Sequence, residues 1–133
     1  MAEAFQVGQV ARVAKTITEA DILLFAAVST DTNPVHLDAE AAAASPFKER
    51  IAHGMLSAGL ISAVLGTKLP GPGTIYLGQT LRFRAPVKIG DTVTAEAEVT
   101  QFDPEKRRAT LKTTCMVQGK VVIEGEAQVL VPT

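Results

Sequence analysis

Side chains able to exchange protons near neutral pH are few in this chain, and two of them lie in one short segment. His36 and His53 are its only histidines, and Asp31 precedes His36 by five residues. A carboxylate and an imidazole in one loop can activate a water molecule, because one group accepts a proton while the other donates. Asp and His also occupy turns for backbone reasons. On spacing alone, a structural loop explains this pair more simply than catalysis.

Gly54 stands where an apolar segment begins that has the pattern of a buried helix. The first N–H groups of a helix have no intrahelical partner, and the helix dipole is positive there. A carbonyl oxygen that gains negative charge can be stabilised at such a point. A tight corner between loop and helix explains the glycine equally well.

Other kinds of site have little support. Asp31-x-Asn33 begins like a calcium loop, but the position that requires glycine is His36 and the twelfth is Ala42. A metal held by Asp31 and His36 has no evident third ligand in the sequence. Cys115 has the parity of core residues on a predicted strand, so we interpret it as a core residue rather than a nucleophile. We therefore expect no metal site.

Length and composition fit one globular domain over residues 1–133, with 47% hydrophobic and 20% charged residues. Thirteen basic and fourteen acidic residues leave a net charge of -1, so we expect no nucleic-acid partner. The single cysteine fits a reducing compartment. The sequence shows no leader-like segment and no apolar run of about 18 residues, so we expect neither export nor membrane insertion. We therefore expect a cytoplasmic protein.

The first half of the chain predicts one short strand and irregular helical material. A strand is expected within 5–13, with a turn or bulge at Gly8. Thr18-Glu-Ala-Asp21 has the form of a capping box and starts a helix that should stop near 29–30. We expect 31–36 to be a polar, non-helical loop because Pro34 disfavours helical geometry before it. Asp38 should cap a brief helix over 39–44.

The second half predicts a buried helix and a sheet. Residues 54–65 are apolar almost all round, and Gly66 is placed to end that helix. Strands are expected at 75–87, 92–102, 109–117 and 121–131, the second with apolar residues at every other position. The order indicates an α+β domain in which a curved antiparallel sheet wraps one helix. One helix cannot cover both faces of such a sheet, so the leftover apolar surface indicates a dimer.

Three motifs together resemble one family: Asp31-x-Asn33-Pro34-x-His36, Ile51-Ala-His53-Gly54-Met55-Leu56 and Ile75-Tyr76-Leu77-Gly78-Gln79. The chain resembles the (R)-specific enoyl-CoA hydratases, the hydratase 2 or MaoC-like group, in their short single-domain bacterial form. The resemblance implies a hot-dog fold, in which an antiparallel sheet wraps a long central helix, and a homodimer. It also implies reversible syn hydration of trans-2-enoyl-CoA to (R)-3-hydroxyacyl-CoA, with no metal or redox cofactor.

The resemblance assigns roles to individual residues. Asp31 and His36 match the pair that holds and activates water, and Gly54 matches the backbone donor to the thioester oxygen. Ser62 matches a serine near the catalytic pair. It lies about two turns after Gly54, since one helical turn takes 3.6 residues.

Four further residues are predicted to contact substrate or to shape its site. Asn33 matches a signature residue that should shape the loop. Leu65, about one turn beyond Ser62, is expected to help close the acyl pocket. Arg82 and Arg84 alternate with apolar residues on a predicted strand, so they can face solvent and bind the phosphates of CoA. Ordinary solvated strand residues explain the two arginines equally well.

Two rival functions stay open at this point. A hot-dog acyl-CoA thioesterase would share the fold and the CoA ligand but hydrolyse the thioester. A non-catalytic subunit of a heteromeric dehydratase would share the fold alone. The intact signature disfavours both. Acyl chain length and the pathway, including a supply of monomers for polyhydroxyalkanoate synthesis, do not follow from the sequence.

Overall fold

Strand-forming segments in the second half of the chain build most of one antiparallel sheet. In this computed structural model, residues 4–133 are described, so the first three residues of the expected domain lie outside the described residues. The strands are β1 (Val10–Thr16), β2 (Ile75–Gln79), β3 (Arg82–Phe83), β4 (Thr92–Asp103), β5 (Arg108–Val117) and β6 (Lys120–Leu130). They lie in the order β1-β4-β5-β6-β2, and β3 also pairs with β6.

The alternation in β4 sets which face of the sheet is buried. Val93, Ala95, Ala97 and Val99 are all buried, whereas the residues between them are partly exposed. Successive strand side chains point to opposite faces, so every second residue enters the core. The strand prediction for this segment is confirmed.

Four helices complete the fold: α1 (Glu19–Ser29), α2 (Pro34–Leu37), α3 (Ala39–Ala43) and α4 (Gly54–Thr67). The capping box of α1 is present, with reciprocal bonds between Thr18 and Asp21. Asp38 caps α3 by accepting from two backbone N–H groups. No helix in the described part of the chain is long and apolar enough to cross a membrane.

The central helix α4 packs on strands β4, β1 and β5, so the sheet wraps the helix in the manner of a hot-dog fold. Its buried side is formed by residues such as Ile61 and Val64. The expected buried central helix is present, but it keeps one exposed face in the single chain. We call this the outer face of α4, formed by Met55, Gly59, Ser62 and Gly66.

Several predicted boundaries need correction. Gly66 does not end α4, because the helix continues to Thr67 and the Lys68 N–H bonds to the Val64 carbonyl. The segment 31–36 is not wholly non-helical. Pro34 is the first residue of α2, a position where its missing N–H needs no partner.

The strand expected over 75–87 is interrupted. A register shift lies between Tyr76 and Gly78, and the chain leaves the ladder before β3. The turn expected at Gly8 is present, with a φ of 98°. The strand expected within 5–13 lies later in the chain, at Val10–Thr16.

Candidate active site

A chain of local hydrogen bonds fixes the segment that carries Asp31. Helix α1 ends at Ser29, and Thr30 takes a left-handed φ of 65°. The Ser29 hydroxyl then accepts from the Asp31 N–H at 3.1 Å. The Asp31 carboxylate accepts from the Asn33 N–H at 3.2 Å, and the Asn33 side chain accepts from the Val35 N–H at 3.2 Å. Asn33 therefore caps α2 and shapes the loop, while the Asp31 side chain stays exposed.

His36 is buried and held in one orientation. Its Nδ1 lies 2.8 Å from the Ile51 carbonyl oxygen. A carbonyl oxygen only accepts, so Nδ1 carries the proton and Nε2 of the neutral ring carries a lone pair. The Arg50 Nε–H also donates to the His36 carbonyl at 2.7 Å. His36 can therefore accept a proton at Nε2 without losing its anchor.

His53 is a member of the site that the sequence analysis missed. It is 2% exposed and precedes α4 as its N-cap residue. Its Nε2 donates to the Asp31 carbonyl at 2.9 Å, and its ring stacks on His36 with centroids 3.9 Å apart. The sequence offered signals for it, because it is one of the two histidines and lies in the motif that directly precedes and includes Gly54. This one side chain contacts both members of the predicted pair.

The three ionisable groups form one cluster. A carboxylate oxygen of Asp31 and one ring nitrogen each of His36 and His53 lie within 4.8 Å of one another. That separation allows one water molecule to hydrogen-bond both Asp31 and His36. The fold thus supplies the third candidate metal ligand that the sequence lacked. However, the two imidazoles lie nearly face to face, at an interplanar angle of 28°, so their in-plane lone pairs do not converge well on one ion.

Gly54 begins α4 beside this cluster. A Cβ at this position would lie 2.5 Å from the Phe83 ring, so a larger residue would push that exposed ring aside. As the first residue of the helix, Gly54 has an N–H without an intrahelical acceptor. The site therefore has a free backbone donor at the positive end of a helix dipole.

Two adjoining cavities meet at Gly54 and Phe83. The first, of about 300 Å³, is lined by His36, Gly54 and Ser57 and has a largely apolar wall; we call it the inner cavity. The second, of about 360 Å³, is lined by Asp31 and His53 and is called the outer cavity. His36 lines the inner cavity and Asp31 lines the outer one, so the two residues lie on either side of this junction. The apolar wall of the inner cavity includes Phe47, Ile51, Val87 and Ile123.

The structure does not bring Ser62 and Leu65 into either cavity of the single chain. Ser62 lies on the outer face of α4 and is exposed. Leu65 is 1% exposed and belongs to the core cluster. Their predicted roles, beside the catalytic pair and at the end of the acyl pocket, stay predictions.

Arg82 and Arg84 are both exposed, but they face different surroundings. Arg84 lines the inner cavity and forms an ion pair with Glu124. Hydrogen bonding to Arg84 lowers the pKa of the Glu124 carboxyl. Arg82 lines a separate surface cavity together with Lys112 and Glu124. Binding of CoA phosphates by the two arginines stays a prediction.

Comparison with known proteins places the chain in a family. Residues 3–126 match the MaoC-like domain. The (R)-specific enoyl-CoA hydratase of Rhodospirillum rubrum is 65% identical over 125 residues, covering 94% of this chain and 87% of the relative. The 3-hydroxybutyryl-CoA dehydratase of Methylorubrum extorquens is 53% identical over 130 residues, covering 98% of this chain and 83% of the relative.

A solved structure agrees with these relatives. The (R)-hydratase from Aeromonas caviae, described as involved in PHA biosynthesis, superposes with a TM-score of 0.94 at 49% identity. The superposition covers 98% of this chain and 100% of the relative. The resemblance read from the Asp31 to His36 signature and the hot-dog fold are thereby confirmed. The chain belongs to the MaoC-like domain family.

Proposed function

We propose that this protein is an (R)-specific enoyl-CoA hydratase, which adds water reversibly to trans-2-enoyl-CoA to give (R)-3-hydroxyacyl-CoA. One observation carries the proposal. A carboxylate oxygen of Asp31 and a ring nitrogen of His36 lie within 4.8 Å of each other, beside the free N–H of Gly54. A water-activating pair next to a donor for the thioester oxygen is the arrangement that hydration of a conjugated thioester needs.

The chemistry follows from where charge moves. The water oxygen bonds to C3, and the π electrons of the C2=C3 bond move toward the carbonyl, so the thioester oxygen gains negative charge. The Gly54 N–H and the dipole of α4 stabilise that charge. One proton of the water passes to the Asp31 and His36 pair, and the pair delivers one proton to C2. The sum is the addition of one water molecule.

The residues that line the cavities support a thioester as the substrate. The apolar wall of the inner cavity suits an acyl chain, because burying apolar surface favours binding. Arg84 lines this cavity, Arg82 lines the neighbouring surface cavity, and both are the cations proposed for the CoA phosphates.

The proposal includes a cytoplasmic homodimer. Exposed apolar residues lie along strand β2 and on the outer face of α4, where a second copy would cover them. Cys115 is a free, buried cysteine, which fits a reducing compartment. In the pathway, we place the enzyme as a source of (R)-3-hydroxyacyl-CoA monomers for polyhydroxyalkanoate synthesis, a role suggested by the Aeromonas caviae relative.

The test uses purified protein and crotonyl-CoA. We expect the ultraviolet absorbance of the conjugated enoyl thioester to fall, the product to be (R)-3-hydroxybutyryl-CoA, and no free thiol to appear. Asp31→Asn and His36→Ala should each lower kcat by at least about 10²-fold, since general acid–base groups contribute about 10²–10⁴. Both variants must keep the wild-type melting behaviour for that loss to count.

Three other outcomes would change the proposal. Release of CoA thiol without hydration would replace the hydratase by a thioesterase. Near-normal turnover in Asp31→Asn would remove Asp31 from the pair. Loss of activity after treatment with a chelator, restored by a divalent ion, would overturn the expectation that no metal takes part.

A further inference from the structure

Ser57 carries a buried hydroxyl that the mechanism above does not use. The residue lies in the first turn of α4 and is 0% exposed. Within the described residues, its Oγ has no hydrogen-bond partner. A buried polar group without a partner destabilises the folded state, so such groups are rare in proteins. The hydroxyl therefore needs an explanation.

Other hydroxyls at helix ends in this chain do have partners. The Ser29 hydroxyl donates to the Phe25 carbonyl at 2.6 Å, and the Thr67 hydroxyl donates to the Ala63 carbonyl at 2.6 Å. Both residues are exposed, where water would also satisfy them. Ser57 is the one of these three that is sealed from bulk solvent, and it makes no such bond. Its hydroxyl therefore keeps an unused hydrogen, and Ser57 is among the residues that line the inner cavity.

The position of Ser57 relative to Gly54 indicates which group would accept that hydrogen. Residues i and i+3 of a helix are neighbours on one face, and helical side chains tilt toward the N-terminus. Ser57 and Gly54 both line the inner cavity, and so does His36. The Ser57 hydroxyl and the Gly54 N–H are therefore two free donors at the same end of one cavity.

We infer that the Ser57 hydroxyl is a second hydrogen-bond donor to the carbonyl oxygen of the bound thioester, alongside the Gly54 N–H. This inference rests on the proposed hydratase function. A carbonyl oxygen has two lone pairs and can accept both bonds. Both bonds strengthen as the oxygen gains charge during attack at C3, so they stabilise the transition state more than the bound substrate.

A purely structural role for Ser57 predicts a different result on substitution. Ser57→Ala removes the hydroxyl but keeps the small side chain. We expect kcat for crotonyl-CoA to fall by at least about tenfold, toward the roughly 10²–10³-fold loss typical of one oxyanion donor. At the same time the melting temperature should rise, because alanine leaves no unpaired hydroxyl and favours helix. A lower kcat together with a higher melting temperature would not arise from a packing role.

Thr67→Ala is the matched control. It removes a hydroxyl from the last turn of the same helix, where the group is exposed and bonded to the Ala63 carbonyl. Activity should stay at the wild-type level. Should Ser57→Ala fail to fold, Ser57→Cys carries the same test, because the thiol is close in size and a weaker donor. We expect its kcat to fall as well.

A second measurement does not depend on turnover. Butyryl-CoA labelled with ¹³C at the thioester carbonyl cannot be hydrated, and isotope-edited infrared spectra report hydrogen bonding to that oxygen. On wild-type protein the carbonyl band should move to lower wavenumber than in water, and on Ser57→Ala it should move less.

The outcomes separate the inference from the proposed function. Wild-type hydration with an unchanged kcat and carbonyl band in Ser57→Ala would overturn the role of Ser57 alone. Failure of the wild type to hydrate enoyl thioesters would overturn the proposed function, while the butyryl-CoA band would still decide on Ser57. If the wild type neither hydrates crotonyl-CoA nor binds butyryl-CoA, both fall.

Discussion

At the scale of single residues, His53 connects the two members of the proposed catalytic pair. It donates to the Asp31 backbone and stacks on the His36 ring. Fixing a reacting group by a neighbour of this kind lowers the cost of orienting it for reaction. We therefore regard His53 as a positioning residue, with the bond to Asp31 as its main contribution.

Two variants of His53 separate the bond from the stacking. His53→Gln keeps an N–H at the position of Nε2, whereas His53→Phe keeps the ring face but leaves the Asp31 carbonyl without a donor. We expect His53→Gln to keep most of the wild-type kcat and His53→Phe to lose about tenfold or more, with KM little changed, because misplacement of a reacting group can cost about 10²-fold. Steady-state kinetics checks this. Equal losses in both variants would assign the effect to the stacked ring instead.

Cys115 gives a second prediction at this scale. Its Sγ lies 3.6 Å from the Ser57 carbonyl, and burial raises the pKa of the thiol to about 12. The thiolate is the reactive species, so the folded protein should not react with a disulfide reagent at pH 8. In denaturant, one thiol per chain should react. Rapid reaction without denaturant would show that this part of the core opens.

At this scale, the sequence predicts contacts between residues that are close together in the chain, but not contacts between distant ones. Asp31, Asn33 and His36 form a short motif, so their proximity follows from the chain itself. The contact between His53 and Asp31 joins residues 22 positions apart and exists only in the fold. Likewise, whether the Ser57 hydroxyl has a partner depends on what surrounds α4, which helical periodicity does not tell.

At the scale of elements, the capping box of α1 supports the segment that carries Asp31. The Thr18 side chain accepts from the Asp21 N–H, and the Asp21 carboxylate accepts from the Thr18 N–H at 2.9 Å. That backbone hydrogen bond from Thr18, with further help from Lys15, lowers the pKa of Asp21. A carboxyl with a lowered folded pKa stabilises the fold above its unfolded pKa, and the contribution disappears as the pH falls through the folded value.

Substitutions of the box test this argument. Thr18→Ala should lower the free energy of unfolding by about 1 kcal/mol, the usual cost of losing an N-cap. Asp21→Asn should also be less stable than the wild type at pH 7. That second difference should shrink as the pH is lowered below the pKa of the carboxyl, because the wild type then loses its charge too. Denaturant titrations at pH 7 and at acid pH measure both effects, and a difference that is constant with pH would contradict the electrostatic part.

A helix or strand could be predicted where a local sequence pattern alone determines it. The alternation in β4 and the polar cap of α1 are both local, and both are confirmed. The break between β2 and β3 was not visible in the sequence; the close approach of Thr80 to Gly125 at this point joins residues far apart in the chain. The end of α4 was missed because Gly66 takes no left-handed φ, so the helix continues past it.

At the scale of the whole molecule, the exposed apolar surface indicates how two copies would meet. Strand β2 forms one end of the sheet, and Ile75, Tyr76 and Leu77 are all exposed there. An edge strand with apolar side chains is a template for pairing with another strand. Met55, on the outer face of α4, is exposed as well. A symmetric contact between two β2 edges would bury these groups and extend the sheet across both copies.

Leu77→Lys tests this arrangement, because it would bring a charge and its symmetry mate into the buried contact. We expect the wild type to sediment as a dimer and Leu77→Lys as a monomer. Val28→Lys is the control, since Val28 is 82% exposed on α1 and away from β2. If Leu77→Lys stays dimeric, the interface lies elsewhere. If it becomes a monomer and also loses activity, the site depends on the partner, which would then enclose the outer face of α4 on which Ser62 lies.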